Sequence, residues 1–407
     1  MQKRRVVITG IGGICGIGKS VPEIWQHVIE GKSGIAPIQS MDMTPIRFKN
    51  GSEVKNYNPL EYFADKELDA LDKFSQFGLI AAKEAVKDAD IEWTEELKER
   101  TCIITGSSIG GQDTQEDAFQ SLYKDGKNRV NLFSIPRIMP NAAASQISMA
   151  FGITGLAYTI STACASSNHA LGNAFWMVRN GMCDMALTGG SETPLSYGFL
   201  KAWEAIRVVA PDTCRPFSKG RQGMVLGEGG AILILETLEA ALARKAKIYA
   251  EIVGFGMSSD ASHITKPDKN GPIKAMQLAL KDAAISAKEV DYINAHGTGT
   301  LANDSMETAA IKEVFGDHAN HLAVSSTKSM HGHILGGTSA VEAVITALAL
   351  KNDILPPTAN FQEKDPECDL DVVPNEARKK ELKYALSNSF AFGGLNAVMV
   401  FRKWNES

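Results

Sequence analysis

Short runs of β-branched, aliphatic and small residues alternate along this chain with longer stretches whose apolar residues recur at helical spacing. Residues 6–9, 102–105, 158–161, 185–188 and 231–235 are short runs of β-branched and aliphatic residues flanked by Gly and Ser, the pattern of buried strands. Between them, residues 77–89 and 165–180 carry the helical period. The alternation resumes with strands at 252–255 and 291–294, a helix over 271–287, and further strands at 322–326 and 397–401. Strand–helix alternation in both halves predicts a layered α/β architecture. The strand–Cys–helix unit near 160 and the strand–Lys–His–helix unit near 325 have the same layout, although their residues share little identity. Residues 355–381, rich in Pro, Asp, Glu and Lys, read as a long surface connection.

Composition narrows this picture slightly. Of 407 residues, 44% are hydrophobic and 22% charged, as in a globular protein with a sizeable core. A net charge of −5 argues against a broad nucleic-acid surface. The opening Met1-Gln-Lys-Arg-Arg followed by Val6-Val-Ile-Thr resembles a signal peptide, but the apolar run dissolves into glycines. No apolar stretch approaches the roughly 18 residues needed to span a bilayer, and residues 343–350 read as core behind Glu342. Six scattered cysteines without a CxxC pair fit a reducing cytoplasm, the expected location.

Gly13-Ile-Cys-Gly-Ile-Gly18-Lys19-Ser20 satisfies the P-loop pattern and follows a strand. It opens a nucleotide-binding alternative, a phosphohydrolase. The competing reading is a glycine-rich turn leading into a helix with Pro22 in its first turn, and no strand ending in Asp supplies the usual partner.

Ser161-Thr-Ala-Cys164-Ala-Ser-Ser places a cysteine between a strand and a helix start, where unpaired N–H groups favour a thiolate. Small neighbours leave the sulfur approachable. A buried structural thiol is the ordinary alternative, and it holds for the other five cysteines. Asn294-Ala-His296-Gly-Thr298-Gly-Thr300 and Lys328-Ser-Met-His331-Gly-His333 each follow a strand, so both histidine loops sit where α/β sheets assemble sites. Zinc held by His331, His333 and Cys164 is a weak alternative, since HxH on a glycine loop is not a usual zinc spacing. Asp304 and Glu307 have capping-box spacing before a helix over 306–315; Glu307 either caps it or orients Lys328 or a histidine.

Together these motifs resemble a family. Thr162-Ala-Cys164-Ala-Ser, the His296 and His333 loops, and Asn388-Ser-Phe-Ala-Phe-Gly-Gly394 stand in the order found in β-ketoacyl-acyl-carrier-protein synthases I and II. Val6-Val-Ile-Thr-Gly10, Arg215-Pro-Phe and Gly223-Met-Val-Leu-Gly-Glu-Gly229 extend the likeness over essentially the whole chain. Lys201-Ala-Trp-Glu-Ala, the tract from Ala210 to Ser218, His331 and the acidic segment from Pro366 to Asp371 are most similar to the nodulation protein E branch.

The resemblance implies a thiolase-like five-layered αβαβα fold of two related halves, residues 1–250 with the nucleophile and 251–407 with the His and Lys loops, as a homodimer. It implies decarboxylative Claisen condensation of an acyl group on Cys164 with malonyl-carrier protein. His296 and His333 would stabilise the enolate, Lys328 would tune the site and pair with Glu307, and the N–H groups of Cys164 and Phe392 would form the oxyanion hole. Thr298 and Thr300 match pantetheine contacts, Phe392 a gate, and Ile109 and Ile135 acyl-pocket positions, the latter reaching across the dimer. The chain itself would need no cofactor or metal, because the phosphopantetheine arrives on the acyl carrier protein. Lys66, Arg129 and Arg207 match basic docking positions for that acidic partner, while Asp69 and Ala70 replace basic residues there. Ala391 and Leu395 stand where the family usually has Gly and Thr, and His331 replaces a Thr. A non-catalytic chain-length subunit would lack the nucleophile, which this chain has.

Overall fold

The computed structural model describes residues 3–405. Among them, ten strands form one continuous sheet. In chain order these are β1 (Val6–Cys15), β2 (Thr101–Gly106), β3 (Ala157–Ile160), β4 (Met185–Glu192) and β5 (Gly229–Thr237). They are followed by β6 (Ala250–Ser259), β7 (Tyr292–Asn294), β8 (Ala323–Ser325), β9 (Tyr384–Ala391) and β10 (Leu395–Lys403). The spatial order is β8-β7-β9-β10-β6-β1-β5-β4-β2-β3.

This order repeats. β1 runs antiparallel to β5, β5 antiparallel to β4, and β4, β2 and β3 are parallel. β6, β10, β9, β7 and β8 reproduce the same sequence of pairings. The two sets join where the start of β1 pairs with β6, Val6 opposite Ile252. The duplication that residue identity left open is therefore visible in the topology.

The principal helices are α1 (Val21–Ile29), α2 (Lys73–Ala89), α3 (Ala142–Phe151), α4 (Ser166–Arg179), α5 (Tyr197–Ile206), α6 (Asn270–Ala283), α7 (Leu301–Phe315) and α8 (Thr338–Asn352). α2 and α3 cover the outer face of one set of strands, and α6 covers that of the other with α7 packed on it. α4 and α8 lie between, each touching strands of both sets. This is the five-layered αβαβα arrangement that the resemblance implies. Every residue of α8 from Thr338 to Leu350 is buried, as a helix apolar on nearly all sides must be.

Several boundaries differ from the sequence reading. β1 continues through the glycines to Cys15 because α2 lies directly against it: a Cβ on Gly10 or Gly12 would fall 2.4 or 2.0 Å from the carbonyl oxygens of Ala85 or Ala81. These glycines serve close packing. The phosphate-cradle reading of 13–20 fails for a second reason. Glu84 of α2 already accepts hydrogen bonds from Gly13 N (2.8 Å) and Val21 N (2.9 Å), and Cys15 and Gly18 pair with each other. Lys19 Nζ donates to the Asn56 carbonyl at 2.6 Å. A carboxylate from the chain itself holds the place of an anion.

α7 starts at Leu301, capped by Thr300, so Asp304 and Glu307 do not cap it. The helix expected to reach 287 ends at Ala283 with Ala284 left-handed. β9 was not anticipated. The 355–381 connection is less superficial than its charge suggests, since Cys368, Leu370 and Val372 are buried while Glu367 and Asp369 face outward. That alternation is a strand-like period hidden among acidic residues.

α4 packs tightly on the second set of strands at Gly172, where a Cβ would lie 2.4 Å from the Phe255 ring, itself edge-on to Trp176 at 5.0 Å. In Gly172→Ala, helix propensity gains about 1 kcal/mol, but overpacking costs about 1–3 kcal/mol. A lower urea midpoint is expected. A stabilised variant would show that the layers can separate freely.

Candidate active site

The carboxyl ends of the parallel strands of both halves converge on one cavity of about 210 Å³, whose lining includes Cys164, His296, His333, Thr298, Thr300 and Phe392. β3 ends at Ile160 and α4 begins at Ser166, leaving a tight turn in which Ala163 is forced to φ +48°. Ser166 holds the turn, its hydroxyl donating to Ala163 O (2.6 Å) and accepting from Thr162 N (2.9 Å). Cys164 is thereby presented just ahead of the helix. The N–H groups of Phe392 and of Cys164 itself point at the sulfur. Burial nevertheless pushes the thiol up to about 11, against the pull of Lys328 and these two donors. The helix-terminus effect expected from sequence is outweighed by desolvation, and the resting group is a thiol.

His296 follows β7 on a loop shaped by Gly297 (φ +39°) and Gly299 (φ +80°). Glu307 sets that loop from below: it accepts from His296 N (2.9 Å) and Gly297 N (2.8 Å), with Asn388 Nδ2 at 3.2 Å. Asp304 accepts from Phe217 N (2.8 Å) and Gly299 N (3.2 Å). Thr298 and Thr300 join their hydroxyls at 2.9 Å. Neither ring nitrogen of His296 has a hydrogen-bond partner among the described residues.

His333 lies beside it, ring centroids 5.6 Å apart and edge to face. Leu335 N–H donates to His333 Nδ1 at 3.2 Å and Thr338 Oγ1 lies 2.9 Å away. A backbone N–H can only donate, so the proton of the neutral ring sits on Nε2. Burial, followed by Lys328, holds both histidines well below the usual imidazole range. They are neutral hydrogen-bond donors at physiological pH. His331 is turned away, its ring nitrogens engaged by Gly332 O (2.8 Å) and Thr327 Oγ1 (2.9 Å), which removes it from any zinc set with His333.

Lys328 corrects an expectation. Its ammonium, fully buried, donates to Glu342 Oε1 at 2.5 Å rather than pairing with Glu307, whose oxygens are taken by the His296 loop. Burial pushes the Glu342 carboxyl up to about 7, with Lys328 pulling it back.

Phe392 tops the hairpin between β9 and β10 and stacks on Trp203 of α5 at 5.9 Å. Ala391 fits where the family usually has Gly because it is still in the strand, paired with Leu395. The hairpin is tied to the 260–268 loop: Gly393 N donates to Ile264 O (2.8 Å) and Asp260 N to Gly394 O (2.9 Å). Sequence reasoning passed over that loop and Trp203; the signal was a polar, Pro-ended run following the carboxyl end of β6. Ile109 and Ile135 are not brought into the cavity. Ile109 packs against the apolar cluster containing Cys164, and Ile135 is 70% exposed. Lys66, Arg129 and Arg207 are exposed, and their charged groups form no ion pair among the described residues.

A thiol, two neutral imidazoles and paired N–H donors lining one cavity suit thioester chemistry, and comparison with known proteins gives the class. Residues 3–241 match the family model of the beta-ketoacyl synthase N-terminal domain and residues 249–362 that of its C-terminal domain. The chain belongs to the beta-ketoacyl synthase family, condensing enzymes with the thiolase-like fold. Within it, the chain is 47% identical over 400 residues to nodulation protein E of Rhizobium sp. (strain N33), covering 98% of this chain and 99% of that one. It is 44% identical over 410 residues to 3-oxoacyl-[acyl-carrier-protein] synthase 2 of Staphylococcus aureus (strain COL), covering 99% of each. A type II PKS ketosynthase solved in complex with its acyl-carrier protein superposes with a TM-score of 0.90 at 33% identity, over 99% of this chain and 100% of that one.

The buried pair generates a test. Lys328→Met strands the Glu342 carboxyl, and breaking a buried pair costs about 3–5 kcal/mol. The penalty depends on pH. A carboxyl whose folded pKa is raised binds its proton more tightly in the native state, so stability falls as pH rises between the unfolded and folded values. Urea unfolding should show Lys328→Met losing stability between pH 5 and pH 8 faster than wild type, and Glu342→Gln in the same background should remove that excess. Identical slopes would refute the pairing.

Proposed function

We propose that Cys164 accepts an acyl group from an acyl carrier protein and condenses it with malonyl-carrier protein, adding two carbons. The observation that carries this reading is the one cavity lined by Cys164, His296 and His333, in which the sulfur meets two backbone N–H donors and both histidines are neutral. The Cys164 sulfur forms a bond to the acyl carbonyl carbon, and its proton leaves on the departing pantetheine thiol. N–H groups of Cys164 and Phe392 hold the transient oxyanion.

In the second half-reaction malonyl loses CO₂, and the electron pair of the broken C–C bond becomes an enolate. His333 Nε2–H and His296 donate to its oxygen. A charged imidazolium would protonate that oxygen, so the neutral state suits the task. The carbanion then forms a bond to the acyl carbonyl carbon as the carbon–sulfur bond breaks, and the Cys164 sulfur leaves with the electron pair and takes a proton from water to return to the thiol. Lys328, screened by Glu342, sets the field, and Glu307 positions the His296 loop. Thr298 and Thr300 line the same cavity and receive the pantetheine arm, which enters with the substrate.

The reading extends to the molecule's surroundings. Its two halves are residues 1–250 and 251–407. Lys66, Arg129 and Arg207 attract the acidic carrier, consistent with their exposed, unpaired charges. Two copies associate through the face beside the edge strand β3, where Leu132, Ile135, Met149 and Leu156 are exposed, bringing Ile135 of one copy toward the acyl pocket of the other beside Ile109. The cytoplasm, where carrier-bound acyl chains are handled with thiols reduced, is the assigned location.

Separating the half-reactions tests the roles. His333→Ala should lower malonyl decarboxylation by about 100-fold or more, the order lost with an oxyanion donor, while radiolabelled acyl transfer to the enzyme continues. Lost acylation with intact decarboxylation would reverse the assignment.

A further inference from the structure

The site is built on six parallel strand ends, and four of them have roles: β3 carries Cys164, β7 His296, β8 Lys328 and His333, and β9 Phe392. The remaining two, β2 and β4, are joined by a buried carboxylate that the reaction above does not use. Glu192, the last residue of β4, accepts from Ser107 Oγ (2.8 Å), Ser108 N (2.6 Å), Ser108 Oγ (2.6 Å) and Ile109 N (3.4 Å), all in the loop that leaves β2. Each oxygen takes two donors. The same loop touches the nucleophile turn, Ser161 Oγ donating to Ser108 O at 3.4 Å.

Glu192 also meets the histidine side. A Cβ on Gly336, just after His333, would lie 2.5 Å from Glu192 Oε2 and 2.5 Å from Ser108 N, so the 335–337 backbone packs onto the carboxylate. Glu307 holds the His296 loop after β7 by accepting its N–H groups, and Glu192 does the same for the topologically equivalent loop after β2. Ile109 is absent from the cavity lined by Thr298, Thr300 and the histidines, yet packs against the cluster that includes Cys164. The 107–109 loop abuts the Cys164 turn through the Ser161–Ser108 contact, so an acyl chain carried on Cys164 as proposed above would run beside it.

We propose that Glu192 is a positioning residue that fixes the 107–109 loop beside Cys164 and thereby governs which acyl chains the cysteine accepts. This rests on Cys164 as the acyl-carrying nucleophile. The test uses the full chain as wild type, Glu192→Gln, which keeps the side-chain volume and one acceptor oxygen, and Ser108→Ala, which removes one donor from the half-buried end of the network. Acylation is followed by mass spectrometry with acetyl and dodecanoyl thioesters, and malonyl decarboxylation is measured separately.

Glu192→Gln should slow dodecanoyl transfer about tenfold, as a displaced wall does, while acetyl transfer and decarboxylation stay within about twofold. Ser108→Ala should change the same ratio less. Equal losses on both chains, a parallel loss of decarboxylation, or no change in either variant would overturn the proposal and leave Glu192 a residue of the fold. Should wild type take neither thioester on Cys164, the nucleophile assignment fails instead, which the wild-type arm reads independently.

Discussion

A helix buried along nearly its whole length has to be enclosed on every side, and α8, buried from Thr338 to Leu350, is enclosed by strands of both halves with α4 beside it. Once these two helices form the middle layer, the halves can only meet face to face across them. The strand ends that precede the two helices, those of β3 and β8, then lie at the same end of the molecule. Cys164 arrives on one and Lys328 with His333 on the other, brought together by burial rather than by any contact between the motifs in sequence. Ser339, in the first turn of α8, reaches the Cys164 carbonyl at 3.4 Å, so the central layer also seats the nucleophile.

The same enclosure sets the electrostatics. A buried thiol rises to about 11 and buried imidazoles fall well below their usual range, so the site holds its hydrogen-bond donors without net charge on them. The buried cation that acts on the sulfur, Lys328, is balanced at 2.5 Å by Glu342. Backbone geometry does the remaining work. Ala163 is held in a conformation unfavourable to non-glycine residues, the cost of turning the sulfur toward Phe392.

How much of this could be read from the sequence depends on distance along the chain. Cys164, His296, Lys328 and His333 were legible because each sits in a short loop immediately after an apolar run, where local pattern and local chemistry coincide. The pairing of Lys328 with Glu342 was not, since Glu342 and the expected partner Glu307 lie on different helices whose placement around the lysine only the packing decides. Glu192 lies beyond the strand expected over 185–188, and nothing in the sequence ties it to Ser108, 84 positions earlier. The P-loop match illustrates the reverse failure: its Gly16 and Gly18 pack against Ser52 and Ile24, and Glu84 of α2 takes the anion's place, constraints that a linear pattern does not contain.

Everything above turns on one sulfur being the atom that carries the growing chain. The direct measurement is mass spectrometry of the intact protein and its peptides after incubation with an acyl-carrier-protein thioester and no malonyl donor. The account predicts a single acyl group on the peptide containing Cys164, stable until malonyl-carrier protein is added and then released as the extended β-ketoacyl product. An acyl group on any other residue, or condensation that proceeds with Cys164 never modified, would contradict it.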